Sequence, residues 1–94
     1  MAQNTTISVP AGTWTQITDA DVSAITFQVR PSAFGVFISG TADTTAPTTT
    51  SGAIYYSPNQ GEANVSLADL FPGISAVRVW AFADAPASVF VSHA

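Results

Sequence analysis

Residues that break regular structure interrupt this chain at intervals of roughly 8–12 residues, and no segment between them is long enough for a helix of useful length. The breaks are Pro10-Ala11-Gly12, Asp19-Ala20-Asp21, Pro31-Ser32, the Thr-, Ala-, Pro- and Ser-rich stretch from Gly40 to Gly52, Ser57-Pro58-Asn59-Gln60-Gly61, Pro72-Gly73 and Asp84-Ala85-Pro86. Most of the segments they delimit alternate apolar and polar residues, which is the period of a strand with one buried face. Thr5 to Val9, Ala24 to Arg30, Phe34 to Gly40, Glu62 to Leu67 and Ala87 to Ser92 read this way, and Thr13 to Thr18, Ala53 to Tyr56 and Ala76 to Phe82 add short segments rich in residues that favour strands. About eight short strands with tight turns imply an all-β fold: an antiparallel two-sheet β-sandwich, jelly-roll-like. The pattern leaves the order of strands within the sheets open. With 94 residues there is one domain, 1–94, entered through a short N-terminal arm, 1–6.

Alternation also assigns a core. Ile25, Phe27 and Val29 share one face, and Phe34, Val36 and Ile38 continue it while Phe37 points the other way. Ala63, Val65 and Leu67 form a third set, and Val89 and Val91 a fourth. A single helical turn from Leu67 to Phe71 would plug one end of the core before Pro72-Gly73 stops it. The strand from Ala76 to Phe82 is different, because Val77, Val79 and Ala81 on one side and Ala76, Trp80 and Phe82 on the other make both faces apolar, with Arg78 the exception. Such a strand is either covered twice or offers its second face to another molecule. Between Gly40 and Gly52 the chain is Thr, Ala, Pro and Ser around a lone Asp43, a loop long enough to be functional or mobile.

Charge excludes several classes of function. The chain has six carboxylates, no lysine and two arginines, Arg30 and Arg78, for a net charge of -4. Two separated arginines cannot build a phosphate-neutralising patch, so a nucleic-acid partner is not expected. An anionic membrane surface is equally unsuited, and no apolar run reaches the ~20 residues of a spanning helix. The N-terminal residues lack the basic and apolar regions of a signal peptide, which points to synthesis in a cytoplasm. Charged residues make up 9% of the chain where about 25% is usual, so a weakly charged surface should be covered by copies of the chain or by a larger assembly.

Candidate chemistry is sparse. His93 is the sole histidine and lies beside the C-terminus, where it reads as a solvent-exposed residue; no nucleophile elbow accompanies it. Asp19 and Asp21 are too few for a calcium loop, and Glu62 and Asp69 lack a cleft to face across. The expectation is therefore no enzyme, no cofactor and no metal. Trp14, Tyr55, Tyr56 and Trp80 could instead form an aromatic platform for a sugar, as in a carbohydrate-binding sandwich module, or anchor a protein interface. Arg78, on the side of Trp80, needs a carboxylate or a ring as partner, and Asp69 and Asp84 are candidates. The interface residues expected on these grounds are Trp14, Phe37, Pro47, Tyr55, Tyr56, Arg78, Trp80 and Phe82.

Trp14 with Ile17-Thr18 and its acidic turn, Gly40-Thr41-Ala42 leading to Pro47, the run Asn64 to Gly73, and Val77-Arg78-Val79-Trp80-Ala81 together resemble small all-β virion structural proteins of tailed bacteriophages. The resemblance spans most of the chain and rests on packing and turn motifs. It implies a capsid decoration or cement protein on the outer capsid surface of the virion, bound to the major capsid protein or other virion proteins and stabilising the shell by bridging its subunits. A head-spike or fibre base is the alternative. It further implies a homo-oligomer, with a trimer favoured.

Overall fold

The computed structural model describes residues 3–32 and 34–93. Eight strands and one helical turn follow one another as β1 (Gln3–Val9), β2 (Thr15–Gln16), β3 (Ala24–Val29), β4 (Val36–Thr41), β5 (Ile54–Tyr56), β6 (Gly61–Ser66), α1 (Leu67–Leu70), β7 (Arg78–Phe82) and β8 (Ala87–His93). Their pairing is nested. β4 pairs with β5, β3 with β6, β2 with β7 and β1 with β8, every pair antiparallel. Alternate rungs of this ladder go to opposite layers, giving one sheet of order β1-β8-β3-β6 and a second of order β2-β7-β4-β5. A long antiparallel ribbon wound into two layers is a jelly roll, so the strand order that alternation leaves open is set by the nesting.

The inner faces of the two sheets close on one core. Val9, Ile25, Phe27, Val29, Val89 and Val91 come from the first sheet, and Val36, Ile38, Tyr56, Val79 and Ala81 from the second. Leu67 and Phe71 seal an end, as the expected helical turn requires. Ser66 caps that turn: its Oγ accepts the Asp69 N–H at 3.1 Å, and the Phe71 N–H returns to the Leu67 carbonyl at 2.9 Å. The plug fits because Phe71 lies over a glycine; a Cβ on Gly40 would stand 2.7 Å from the Phe71 ring.

Several expectations are corrected. Residues 3–6 belong to β1 and pair with β8 rather than forming an arm; Met1 and Ala2 lie outside the described residues. β2 keeps only Thr15 and Gln16 of the segment from Thr13 to Thr18 as ladder, because past Ile17, whose N–H bonds the Val79 carbonyl, the Thr18 hydroxyl rather than a backbone carbonyl accepts the Val79 N–H, at 3.3 Å. Phe34 precedes β4 and is exposed, so it is no part of the core. In β6 a bulge shifts the register between Ile25 and Phe27, with Asn64 at φ 49° and its N–H donated to Thr26 Oγ1 at 2.7 Å. The extra residue swaps faces. Ala63 turns out to solvent, and Glu62 turns toward the Tyr56 hydroxyl, which it accepts at 3.2 Å.

His93 is likewise not a frayed terminal residue. It closes β8 opposite Gln3, is buried, and its Nε2 accepts the Asp19 N–H at 3.0 Å. The imidazole thereby ties the β2–β3 crossing to the end of the first sheet.

Candidate functional site

The outer face of the second sheet gathers most of the residues singled out in the sequence. On β7, Val79 and Ala81 enter the core, so Arg78, Trp80 and Phe82 lie on the opposite side. Register then places their neighbours. Phe82 pairs with Phe37, Trp80 with Ser39 and Gln16, and Arg78 with Thr41, while Phe37 pairs onward with Tyr55. Trp14, one residue before β2, joins the Phe82 end.

The first of these rows is aromatic across the whole sheet. Trp14 and Phe82 have ring centroids 5.3 Å apart, Phe82 and Phe37 6.5 Å, and Phe37 and Tyr55 5.0 Å. Trp14, Phe37 and Phe82 are half-buried and Tyr55 is 49% exposed. The row is held rather than loose. Tyr55 Oη accepts the Gly35 N–H at 2.9 Å, which anchors the ring to the chain entering β4. Its rings tilt against each other by 45°, 58° and 61°, and the Phe37–Tyr55 pair is edge-to-face.

The second and third rows are quieter. Trp80 is only 8% exposed although it faces away from the core, and its indole N–H donates to Thr41 Oγ1 at 2.7 Å. The expected exposed anchor is thus a covered side chain that fixes the start of the long loop. Arg78 Nε donates to Asp21 Oδ1 at 2.8 Å, so its partner is neither Asp69 nor Asp84. Nested pairing brings Asp21 there, since the Val22 N–H bonds the Val77 carbonyl next to Arg78.

Two of the expected interface residues stand apart from this face. Tyr56 points inward, stacked edge-on against Phe27 with centroids 4.9 Å apart, because adjacent strand residues take opposite faces and Tyr55 takes the outer one. Burial first, then the Glu62 carboxylate, push its phenol up to about 12. Pro47 is half-buried in the loop between β4 and β5. That loop leaves the sheet through local turns: Thr41 Oγ1 donates to the Asp43 carbonyl at 2.8 Å, and Asp43 Oδ1 accepts the Thr45 N–H at 2.9 Å.

The aromatic row, Trp14, Phe82, Phe37 and Tyr55, includes no carboxylate, imidazole or cationic side chain. Elsewhere among the described residues no three of His, Cys, Asp and Glu come together. A groove on the first sheet is lined by Ala24 and Ile25 together with the polar Ser23, Thr26, Asn64, Ser92 and His93; the imidazole accepts the Asp19 N–H through Nε2, and its Nδ1 is buried without a hydrogen-bond partner. The aromatic row is therefore the surface with the most to offer a partner, and what it offers is apolar contact. No protein-family model matches the chain, and neither a curated protein nor a solved structure matches it.

Proposed function

We propose that this domain is a bacteriophage virion structural protein that decorates the capsid, docking on the outer shell through the outer face of its second sheet. The observation that carries this reading is the row Trp14, Phe82, Phe37 and Tyr55, running from the residue before β2 across β7 and β4 to β5 and partly open to water. Rigid aromatic side chains supply large contact area with little conformational entropy to lose, which is why they anchor protein interfaces. A weakly charged, Thr-rich rim around them suits the polar, wet border of such a contact. Ring tilt weighs against the sugar-platform alternative. A saccharide chain stacks on faces presented side by side, and rings inclined by 45° to 61° spend their faces on one another.

Bridging neighbouring shell subunits, the domain binds the assembled shell and not its separated parts, and so stabilises the shell by mass action. The test is cosedimentation with shells of the virus that carries the chain, assembled in its absence. Wild-type chain should bind and raise the temperature at which the shells release DNA. Phe37→Ser together with Phe82→Ser should weaken binding roughly thirtyfold or more, as truncation of two central anchors does. Equal binding by wild type and variant, or none by wild type, overturns the reading. A few bound copies per particle instead of many would mark the head-spike or fibre-base alternative.

A further inference from the structure

A sandwich of two open sheets has four edge strands, and proteins normally blunt such edges by shortening, bulging or charging them. Three edges here are blunted. β2 has two residues and β5 three, while β6 is bent by its bulge at Asn64 and carries Glu62. β1 has none of these protections. It runs seven residues, Gln3–Val9, in unbroken register with β8 on its inner side. None of the six acidic and two basic residues lies on it, and Pro10 comes only after its end. Asn4, Thr5 and Thr6 are consecutive and all exposed, so both faces of the strand are open there.

We propose that two copies of this chain pair through β1, antiparallel about a two-fold axis at Thr6, merging their first sheets into one continuous sheet. The occupant is a second copy because the strand's sequence is compatible with its own reverse. Thr6 opposes the second copy's Thr6, Thr5 opposes Ile7, and Asn4 opposes Ser8, so hydroxyl meets hydroxyl or amide on the outer face and β-branched side chains meet on the inner one. Charge favours this edge too. Copies with a net charge of -4 each repel, and an uncharged strand is where they approach at least cost. A two-fold contact closes on itself; pairing β1 with a different edge would propagate into a filament, and those edges are too short or too bent to accept it.

The axis of an antiparallel strand pair stands perpendicular to the sheet. Both second sheets therefore lie on the same side of the dimer, and both aromatic rows face the same way. Granting the docking role proposed above, the dimer engages its target twice, and the second contact is strengthened by the effective concentration the first creates. Dimerisation itself needs no shell, so it stands or falls separately from that role.

Light scattering coupled to size exclusion on the full chain, over a concentration series, should show a monomer–dimer equilibrium. Thr6→Glu places two carboxylates face to face across the axis and should raise the dissociation constant at least roughly tenfold with an unchanged circular dichroism spectrum. The chain has no cysteine, so Thr6→Cys introduces a single thiol that should oxidise to a disulfide-linked dimer far faster than Thr44→Cys in the exposed β4–β5 loop. A wild-type monomer at every concentration overturns the proposal. So does an oligomer that Thr6→Glu leaves intact, or a Thr6→Cys chain that crosslinks no faster than Thr44→Cys.

Discussion

The Trp80 indole N–H donates to Thr41 Oγ1 at 2.7 Å, and the same hydroxyl donates to the Asp43 carbonyl at 2.8 Å. One threonine thus couples a covered tryptophan on β7 to the first turn of the β4–β5 loop. Thr41→Val keeps the shape and removes both bonds, leaving an indole N–H without its acceptor in a site that is 8% exposed. The expected loss is about 1–3 kcal/mol in urea denaturation. The two tryptophans also separate optically. In Trp14→Phe the remaining emission, from Trp80, should be blue-shifted and resist acrylamide; in Trp80→Phe the emission from half-exposed Trp14 should be quenched readily. The reverse order would mean that Trp80 is open to solvent.

His93 bears on the β2–β3 crossing in a similar way. Its Nε2 accepts the Asp19 N–H at 3.0 Å, so His93→Leu fills the space and orphans the amide. A destabilisation of about 1–3 kcal/mol is expected, together with faster hydrogen exchange at Asp19. His93→Gln, whose carbonyl oxygen can accept in place of the imidazole, should recover part of both effects. Equal stability of His93→Leu and wild type would show that the bond holds nothing in place.

The plug at the end of the core gives a prediction of opposite kind, an excess of volume. A Cβ on Gly40 would lie 2.7 Å from Phe71 Cδ2 and 2.9 Å from the Ala76 Cβ. Gly40→Ala should therefore cost about 1–3 kcal/mol through overpacking, despite the better strand propensity of alanine. Phe71→Leu shortens the offending ring and should restore part of that loss in the double variant. Additive losses would place the strain elsewhere.

The number of strands could be read from the sequence because each one is a strand-favouring segment, most of them alternating, cut by turn residues, and α1 because Pro72-Gly73 stops it at once. What could not be read depends on contacts distant in sequence. Phe34 looks like a continuation of Val36 and Ile38, but alternation carries no meaning before the ladder begins at Val36. Ala63 and Glu62 exchange faces because Asn64 adopts a left-handed φ of 49°, a conformation open to asparagine but not required of it. Asp21 reaches Arg78 only through the β2–β7 pairing. The second apolar face of β7 had two possible causes, a cover or a partner; Trp80 is covered, while Phe82 joins a row that is partly open.

Tyr56 makes the stability of the fold depend on pH in the alkaline range. Its phenol is pushed from 10 up to about 12, first by burial and then by the Glu62 carboxylate that accepts its hydrogen bond. Below pH 10 the phenol is protonated whether the chain is folded or not, and the associated stability is fully present. As pH rises through that value the unfolded chain releases the proton while the folded chain keeps it until about 12. The folded state then binds more protons, so stability falls with rising pH across this window. Urea midpoints should drop between about pH 9 and about pH 11 more steeply in wild type than in Tyr56→Phe, which has no proton to lose there. Glu62→Gln removes the carboxylate but not the burial, so its curve should fall between the two. Parallel curves for wild type and Tyr56→Phe would show that the inward-facing hydroxyl titrates as freely as one in water.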